Sequence, residues 1–266
     1  MNDTAQLGES CPRAGWMRRL MFPLRSTVPL RYPPIATWVL IAIYSAVFLF
    51  EMSLSPAELK QFLAQLALIP ARDLHPDAYV GMASPPVIYL PFFTNMFLHG
   101  SLLHLILNMW ALWLFGPGVE DRLGRWAYVA LYIACGVLAS VTHAVFNSSS
   151  AVPTLGASGA IAGVLGCYIR LFPLARIIVL VPILFLPFFF DLPAVLFAGF
   201  WFLTQLLQGT MSLLMPGAGG PIAWWAHVGG FIGGLVLAVP LRQRRGDYRR
   251  FYRDEGVLGF PPTGYG

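Results

Sequence analysis

The chain has 266 residues, of which 57% are hydrophobic and only 11% charged. A soluble domain carries about 25% charge, so this chain cannot cover itself with a polar surface, and lipid is its expected solvent. Its net charge of +5 gathers at the two ends and in short loops between apolar runs, which is a pattern of membrane topology signals and not of a nucleic-acid-binding face.

Residues 1–34 hold five arginines and no apolar core, so they read as a basic segment, and the first span is expected to direct its own insertion. A span needs about 20 apolar residues, with a range of roughly 17–25. Ile35 to Phe50 is the first, closed by Glu51. Ser53 to Pro91 is a long mixed loop with one amphipathic helix around Pro56–Leu68. The second span runs from about Ser101 to Phe115 and is expected to stop at Gly116-Pro117, before the polar knot Glu120-Asp121-Arg122. Trp126 to Phe146 is the third. Gly156 to Ile169 is a short fourth span ended by Arg170.

Ile177 to Gln208 is too long for one span, and Pro182, Pro187, Asp191 and Pro193 interrupt it. The fifth span is placed at Leu192 to Leu207 with Asp191 near its N-cap, which leaves Ile177 to Phe190 as an interfacial or re-entrant piece. Gly209 to Pro221 is an uncharged Gly/Pro-rich loop. Ala223 to Leu241 is the sixth span, and residues 242–266 form a basic tail expected to be disordered. The predicted fold is thus an all-α membrane protein with a six-helix membrane domain over 35–241. Fifteen of the seventeen Lys and Arg fall on the side of the termini, against Lys60 and Arg72 on the other. The positive-inside rule then puts both termini in the cytoplasm. Sixteen arginines to one lysine point to a GC-rich bacterial genome, hence to a bacterial cytoplasmic membrane.

Polar side chains inside spans are costly and mark function by default. Here they are His104, Asn108, Ser158 and His227, with His99 and His143 at the edges. At about 1.5 Å per residue from the cytoplasmic anchors, Ser158 and Asn108 lie roughly 18 Å up, His227 roughly 22 Å and His104 roughly 24 Å. Four polar groups on three helices therefore share one layer, near 10 Å below the outer surface of a core about 30 Å thick.

Ser158 stands in Gly156-Ala157-Ser158-Gly159, where a loop enters a helix whose positive dipole end favours a nearby anion. Its glycines allow tight turning and close approach of a substrate backbone, which makes Gly156 a substrate-binding candidate. The bland alternative is an ordinary serine N-cap or a packing residue. His227 precedes Gly230 and Gly234, a small-residue face matched by Gly159 and Gly163 on the fourth span. If the two faces touch, His227 reaches Ser158, and an imidazole kept neutral by burial suits a general base. Otherwise His227 is a buried histidine bonded to a carbonyl. His104 and Asn108 share one helical face and offer oxyanion donors, or else interhelical hydrogen bonds. His99 is expected to hold the preceding loop, His143 to be interfacial, and Glu120 with Arg122 to tie a cytoplasmic turn. No carboxylate occupies the layer, so the chemistry would be that of a Ser–His dyad. Cys11, Cys135 and Cys167 form no even set and no metal spacing, so neither a disulfide nor a metal site is expected.

The motifs His104-x-x-x-Asn108, Gly156-Ala157-Ser158-Gly159 and His227-x-x-Gly230-x-x-x-Gly234, on the second, fourth and sixth spans, resemble the rhomboid family of intramembrane serine proteases. Gly116-x-x-x-Glu120-x-Arg122 resembles it too. The resemblance implies Ser158 as nucleophile, His227 as base, and His104, Asn108 and the Ser158 amide as the oxyanion hole. It also implies transmembrane protein substrates cut near their outer ends, no cofactor, a mobile cap at Gly209–Pro221 and a lateral gate at the fifth span. Two departures stand out. Ala162 occupies the place of an aromatic that stacks on the histidine in many members, so His227 must be oriented otherwise or less firmly. Arg72 follows Ala71 and not a tryptophan. An inactive relative that binds membrane-protein clients would keep the fold without the chemistry, but both Ser158 and His227 are retained. A transporter would show broken helices in matching halves, and the single broken region here has no counterpart.

Overall fold

The computed structural model describes residues 26, 28, 30–76, 89–183, 186–215 and 222–240. Four helices are long and apolar enough to cross a membrane: α1 (Ile35–Ser53), α5 (Leu102–Leu123), α6 (Arg125–Phe146) and α8 (Ala194–Leu214). Two shorter apolar helices complete the bundle, α7 (Ser158–Leu171) and α9 (Trp224–Leu237). The outer faces are greasy. Trp38, Leu49, Leu103, Trp113, Val145 and Phe200 are all exposed, and only 22–44% of the most apolar stretch of each long helix is buried. Such a surface is stable only against hydrocarbon.

The centre is α7, in which every residue except Ser158, Ile169 and Arg170 is buried. It lies parallel to α9 along a seam of glycines. A Cβ at Gly230 would drive into the Gly159 carbonyl, one at Gly234 into the Gly163 carbonyl, and one at Gly166 into the Phe231 carbonyl. Only glycine allows this approach. The touch expected between the fourth and sixth spans is therefore made, backbone against backbone.

Between α1 and α5, the long loop forms α2 (Pro56–Leu66), α3 (Pro70–Leu74), α4 (Pro91–Thr94) and a 3-10 turn at Asn95–Phe97. The amphipathic helix expected near Pro56 starts with a capping box between Ser55 and Glu58. Those bonds, led by the Ser55 side chain, hold the Glu58 carboxyl below the usual carboxylate range. Arg72 is buried, bonded to Asp73 and to the Ala64 and Ala67 carbonyls. Leu68 pairs with Thr154 in both directions and fastens this loop to the one before α7.

Three expectations need correction. The fold is mostly helical and not all-α, because Arg176–Ile183 (β1) pairs antiparallel with Leu186–Pro193 (β2). A short apolar run rich in β-branched and aromatic residues cannot be told from a membrane helix by periodicity alone. Asp191 is consequently an exposed residue of β2 near Arg176, and the N-cap of α8 is Pro193. The second span also continues through Gly116-Pro117 to Leu123. Pro117 removes one hydrogen bond, a loss that packed membrane helices tolerate. Lastly, α8 extends through Gly209 to Leu214, so the first part of the expected loop is helical, while residues 216–221 and the tail from 241 lie outside the described residues.

The polar knot caps the start of another helix, and its Arg122 guanidinium lies 4.9 Å over the Phe172 ring. Pro34, at the start of α1, offers no side-chain cap. Glu120 supplies one from α5: Oε1 accepts the Ala36 amide, and Oε2 accepts the Thr37 amide and hydroxyl, each at 2.8 Å. Asp121 accepts the Arg31 and Tyr32 amides. Glu120→Ala leaves one buried and one half-buried backbone donor without that partner, which should cost about 2–4 kcal/mol. Thermal unfolding in detergent should show a clearly lowered midpoint, with Glu120→Gln in between.

Candidate active site

Gly156 has φ +127°, a region side chains avoid, and a Cβ there would meet His104 Nε2 at 2.9 Å. The turn at Gly156 lets the chain enter α7 close against α5. The N-cap of α7 is Ala157, without a side-chain cap bond, so Ser158 is the first helical residue and not the cap. Its amide is one of the first-turn donors that no helix carbonyl can take. With 14 residues, α7 spans about 21 Å, shorter than a hydrocarbon core about 30 Å thick.

The Ser158 hydroxyl turns to α9, where Oγ lies 2.8 Å from His227 Nε2. A hydroxyl and an imidazole nitrogen at that distance are within reach for general-base proton transfer. The other ring nitrogen, Nδ1, lies 2.8 Å from Gln205 Oε1 on α8, so among the described residues the His227 ring is bonded to two side chains and to no backbone carbonyl. The Trp201 ring, also on α8, sits 5.7 Å from the imidazole, and the Trp224 ring stands edge-on at 6.3 Å. Ala162 leaves the histidine without an aromatic from α7, and α8 provides one instead.

His104 flanks Gly156 and packs its ring against His99 at 5.2 Å. Asn108, one turn further along α5, is buried, and its Nδ2 has no hydrogen-bond partner among the described residues. That amide is not spent on joining helices and remains free to donate. A cavity of about 20 Å³ borders Ser158, Gly156, Ser140 and Asn95, enough for about one water. His99 donates its amide to Glu51, holding the end of α1. His143, in the last turn of α6, is buried, and its Nε2 meets Thr154 Oγ1 at 2.9 Å, steadying the loop that delivers Ser158. Cys135 and Cys167 are free and buried.

The sequence reading missed Gln205 and Trp201. The signal was present: Thr204 and Gln205 are polar residues inside the expected fifth span, and the rule that singled out Asn108 applies to them equally.

Comparison with known proteins identifies the family. The family profile described as Rhomboid domain matches residues 88–244. Presenilin-associated rhomboid-like protein A, mitochondrial, of Danio rerio is 37% identical over 98 residues, 36% of this chain and 26% of its own length. Rhomboid protein 1, mitochondrial, of Saccharomyces cerevisiae is 31% identical over 151 residues, 53% of this chain and 39% of its own. Rhomboid protease GluP of Bacillus subtilis is 41% identical over 73 residues, 27% of this chain and 14% of its own. The chain thus spans well under two thirds of each of these relatives. Because the profile covers well over half of its residues and its apolar helices cross a membrane several times, this multi-pass membrane protein belongs to the rhomboid family.

Proposed function

We propose that this protein is an intramembrane serine endopeptidase that cleaves transmembrane segments of other membrane proteins near their outer ends. The observation that carries the reading is the 2.8 Å approach of Ser158 Oγ to His227 Nε2. Ser158 attacks the scissile carbonyl as His227 takes its proton. The oxygen of the tetrahedral intermediate is held by the Ser158 amide, His104 and Asn108, with Gly156 giving the substrate backbone room. His227 then protonates the leaving amine, and water, activated by the same base, releases the acyl group. The reaction draws on no cofactor and no metal.

In this reading all six apolar helices cross the bilayer, within a membrane domain over 35–241. The basic flanks 1–34 and 242–266 lie in the cytoplasm. For the compartment, the arginine-rich composition and the Bacillus relative favour a bacterial cytoplasmic membrane, and the mitochondrial names of the Danio and Saccharomyces relatives weigh against it.

The test is cleavage of a fluorogenic transmembrane peptide with alanine or glycine at its scissile bond, by the full-length protein in detergent. Wild type should cleave and Ser158→Ala should not. A wild type that binds the peptide without cutting it would favour a client-binding relative. Asn108→Ala should lower kcat by about 100- to 1000-fold and leave the unfolding midpoint within a few degrees. Collapse of the fold would mean that Asn108 is structural.

A further inference from the structure

Every serine-histidine pair needs something to hold the imidazole, because the two ring nitrogens are not equivalent. A base must present a bare Nε2 to the serine, and which nitrogen carries the proton is set by the hydrogen bond that the other makes. In this fold that bond comes from α8. The buried residues of α8 are Ala194, Ala198, Gln205 and Gly209. Three of these four are small and apolar, and the fourth is a polar amide only 4% exposed. A buried amide at membrane depth is expensive unless every polar atom has a partner, and Gln205 is fully partnered. Its Nε2 donates to the Trp201 carbonyl at 3.1 Å and to Thr204 Oγ1 at 2.9 Å. The Thr204 hydroxyl donates in turn to that same carbonyl at 2.6 Å, so its lone pairs are left to accept. These bonds fix which way the amide faces: its nitrogen is taken by α8, and its oxygen points at the ring.

We propose that Gln205 is a positioning residue for His227: its Oε1 accepts the Nδ1 proton at 2.8 Å and holds the tautomer whose bare Nε2 faces Ser158. The proposal rests on His227 acting as the base. A neutral amide fits this depth better than a carboxylate, since it orients the ring without burying a charge. Trp201, one turn before Gln205, packs beside the imidazole and limits its rotation. Residues of α8 thus do the work that elsewhere falls to a third catalytic side chain or to an aromatic beside the nucleophile, and α8 becomes part of the site.

The experiment compares wild type with Gln205→Met, which keeps an unbranched shape and loses the acceptor, and with Gln205→Glu, which restores one. Kinetics on the fluorogenic transmembrane peptide are paired with 15N spectra of the histidine rings, His227 being assigned by difference against His227→Ala. Gln205→Met should lower kcat about 10- to 100-fold, the size typical of losing an outer partner of an active imidazole, with KM within about twofold. Gln205→Glu should regain most of that rate. In wild type the His227 ring should show its proton on Nδ1, and in Gln205→Met a shift of population to Nε2. An unchanged His227 tautomer in Gln205→Met overturns the proposal whatever the rate does, because a purely structural role would not move that signal. The tautomer is read without any turnover. A wild type that fails to cleave would count against the protease reading alone, and an unmoved tautomer against Gln205 alone.

Discussion

Ser158→Ala, His227→Ala and the double variant should all fall to one common floor, at least about 10⁴-fold below wild type in kcat. In the proposed mechanism the two groups act as one unit: the hydroxyl is a weak nucleophile until the imidazole takes its proton, and the imidazole has nothing to activate once the hydroxyl is gone. Losses from such a pair do not add, as dissected serine proteases show. Independent contributions would instead make the double variant slower than either single variant by the product of their effects. The separation of 2.8 Å between Oγ and Nε2 is a direct hydrogen bond, which is why strong coupling is expected. Measured rates must come from protein that still folds. Ser158 begins α7 without capping it, so its hydroxyl can be removed with little effect on the helix. A surviving rate in Ser158→Ala above about a hundredth of wild type would remove the serine from the chemistry.

Gly234→Ala should also slow the reaction strongly, although it touches no reacting group. The added methyl has to occupy space already held by the Gly163 carbonyl, and backbone cannot swing aside as a side chain can. The two helices must part by about an ångström, and a displacement of that size at a reacting pair can cost about 100-fold in rate. Overpacking of this kind also lowers stability by about 1–3 kcal/mol. Activity and unfolding midpoint should therefore fall together, and Gly230→Ala, pressing on the Gly159 carbonyl one turn closer to the site, should act in the same direction. Gly199→Ala is the control: nothing lies within 4 Å of a methyl added there, so rate and midpoint should stay near wild type. Equal behaviour of Gly199→Ala and Gly234→Ala would mean that the seam does not hold the site together.

Much of this arrangement was legible because lipid permits so little. A polar residue inside a span has few reasons to be there, so His104, Asn108, Ser158 and His227 stood out, and counting residues from the charged helix ends placed them in one layer. The facing glycines of α7 and α9 were readable for a related reason, since small residues at a four-residue spacing are how membrane helices come close. Gln205 was legible by the same counting. It lies 13 residues after Leu192, roughly 20 Å along the helix, in the layer of Ser158 and His227. What stayed hidden depended on tertiary context. The hairpin Arg176–Pro193 replaces a re-entrant piece, because an apolar run interrupted by prolines fits both. The helix α5 runs on past Pro117, and its final turn is held by Glu120 and Asp121 against the start of α1; the polar knot marked a tie but not the helix it would reach.

The seam between α7 and α9 has a thermal consequence. Interfaces built from side chains loosen on warming as their χ angles explore other wells, a freedom worth up to about 2 kcal/mol for the longest side chains and nothing for glycine. Where Gly159 meets Gly230 and Gly163 meets Gly234, there are no rotamers to melt. The hydroxyl and the imidazole are carried by backbones in direct register, so their alignment should hold nearly constant with rising temperature and then vanish in one step when the helices come apart.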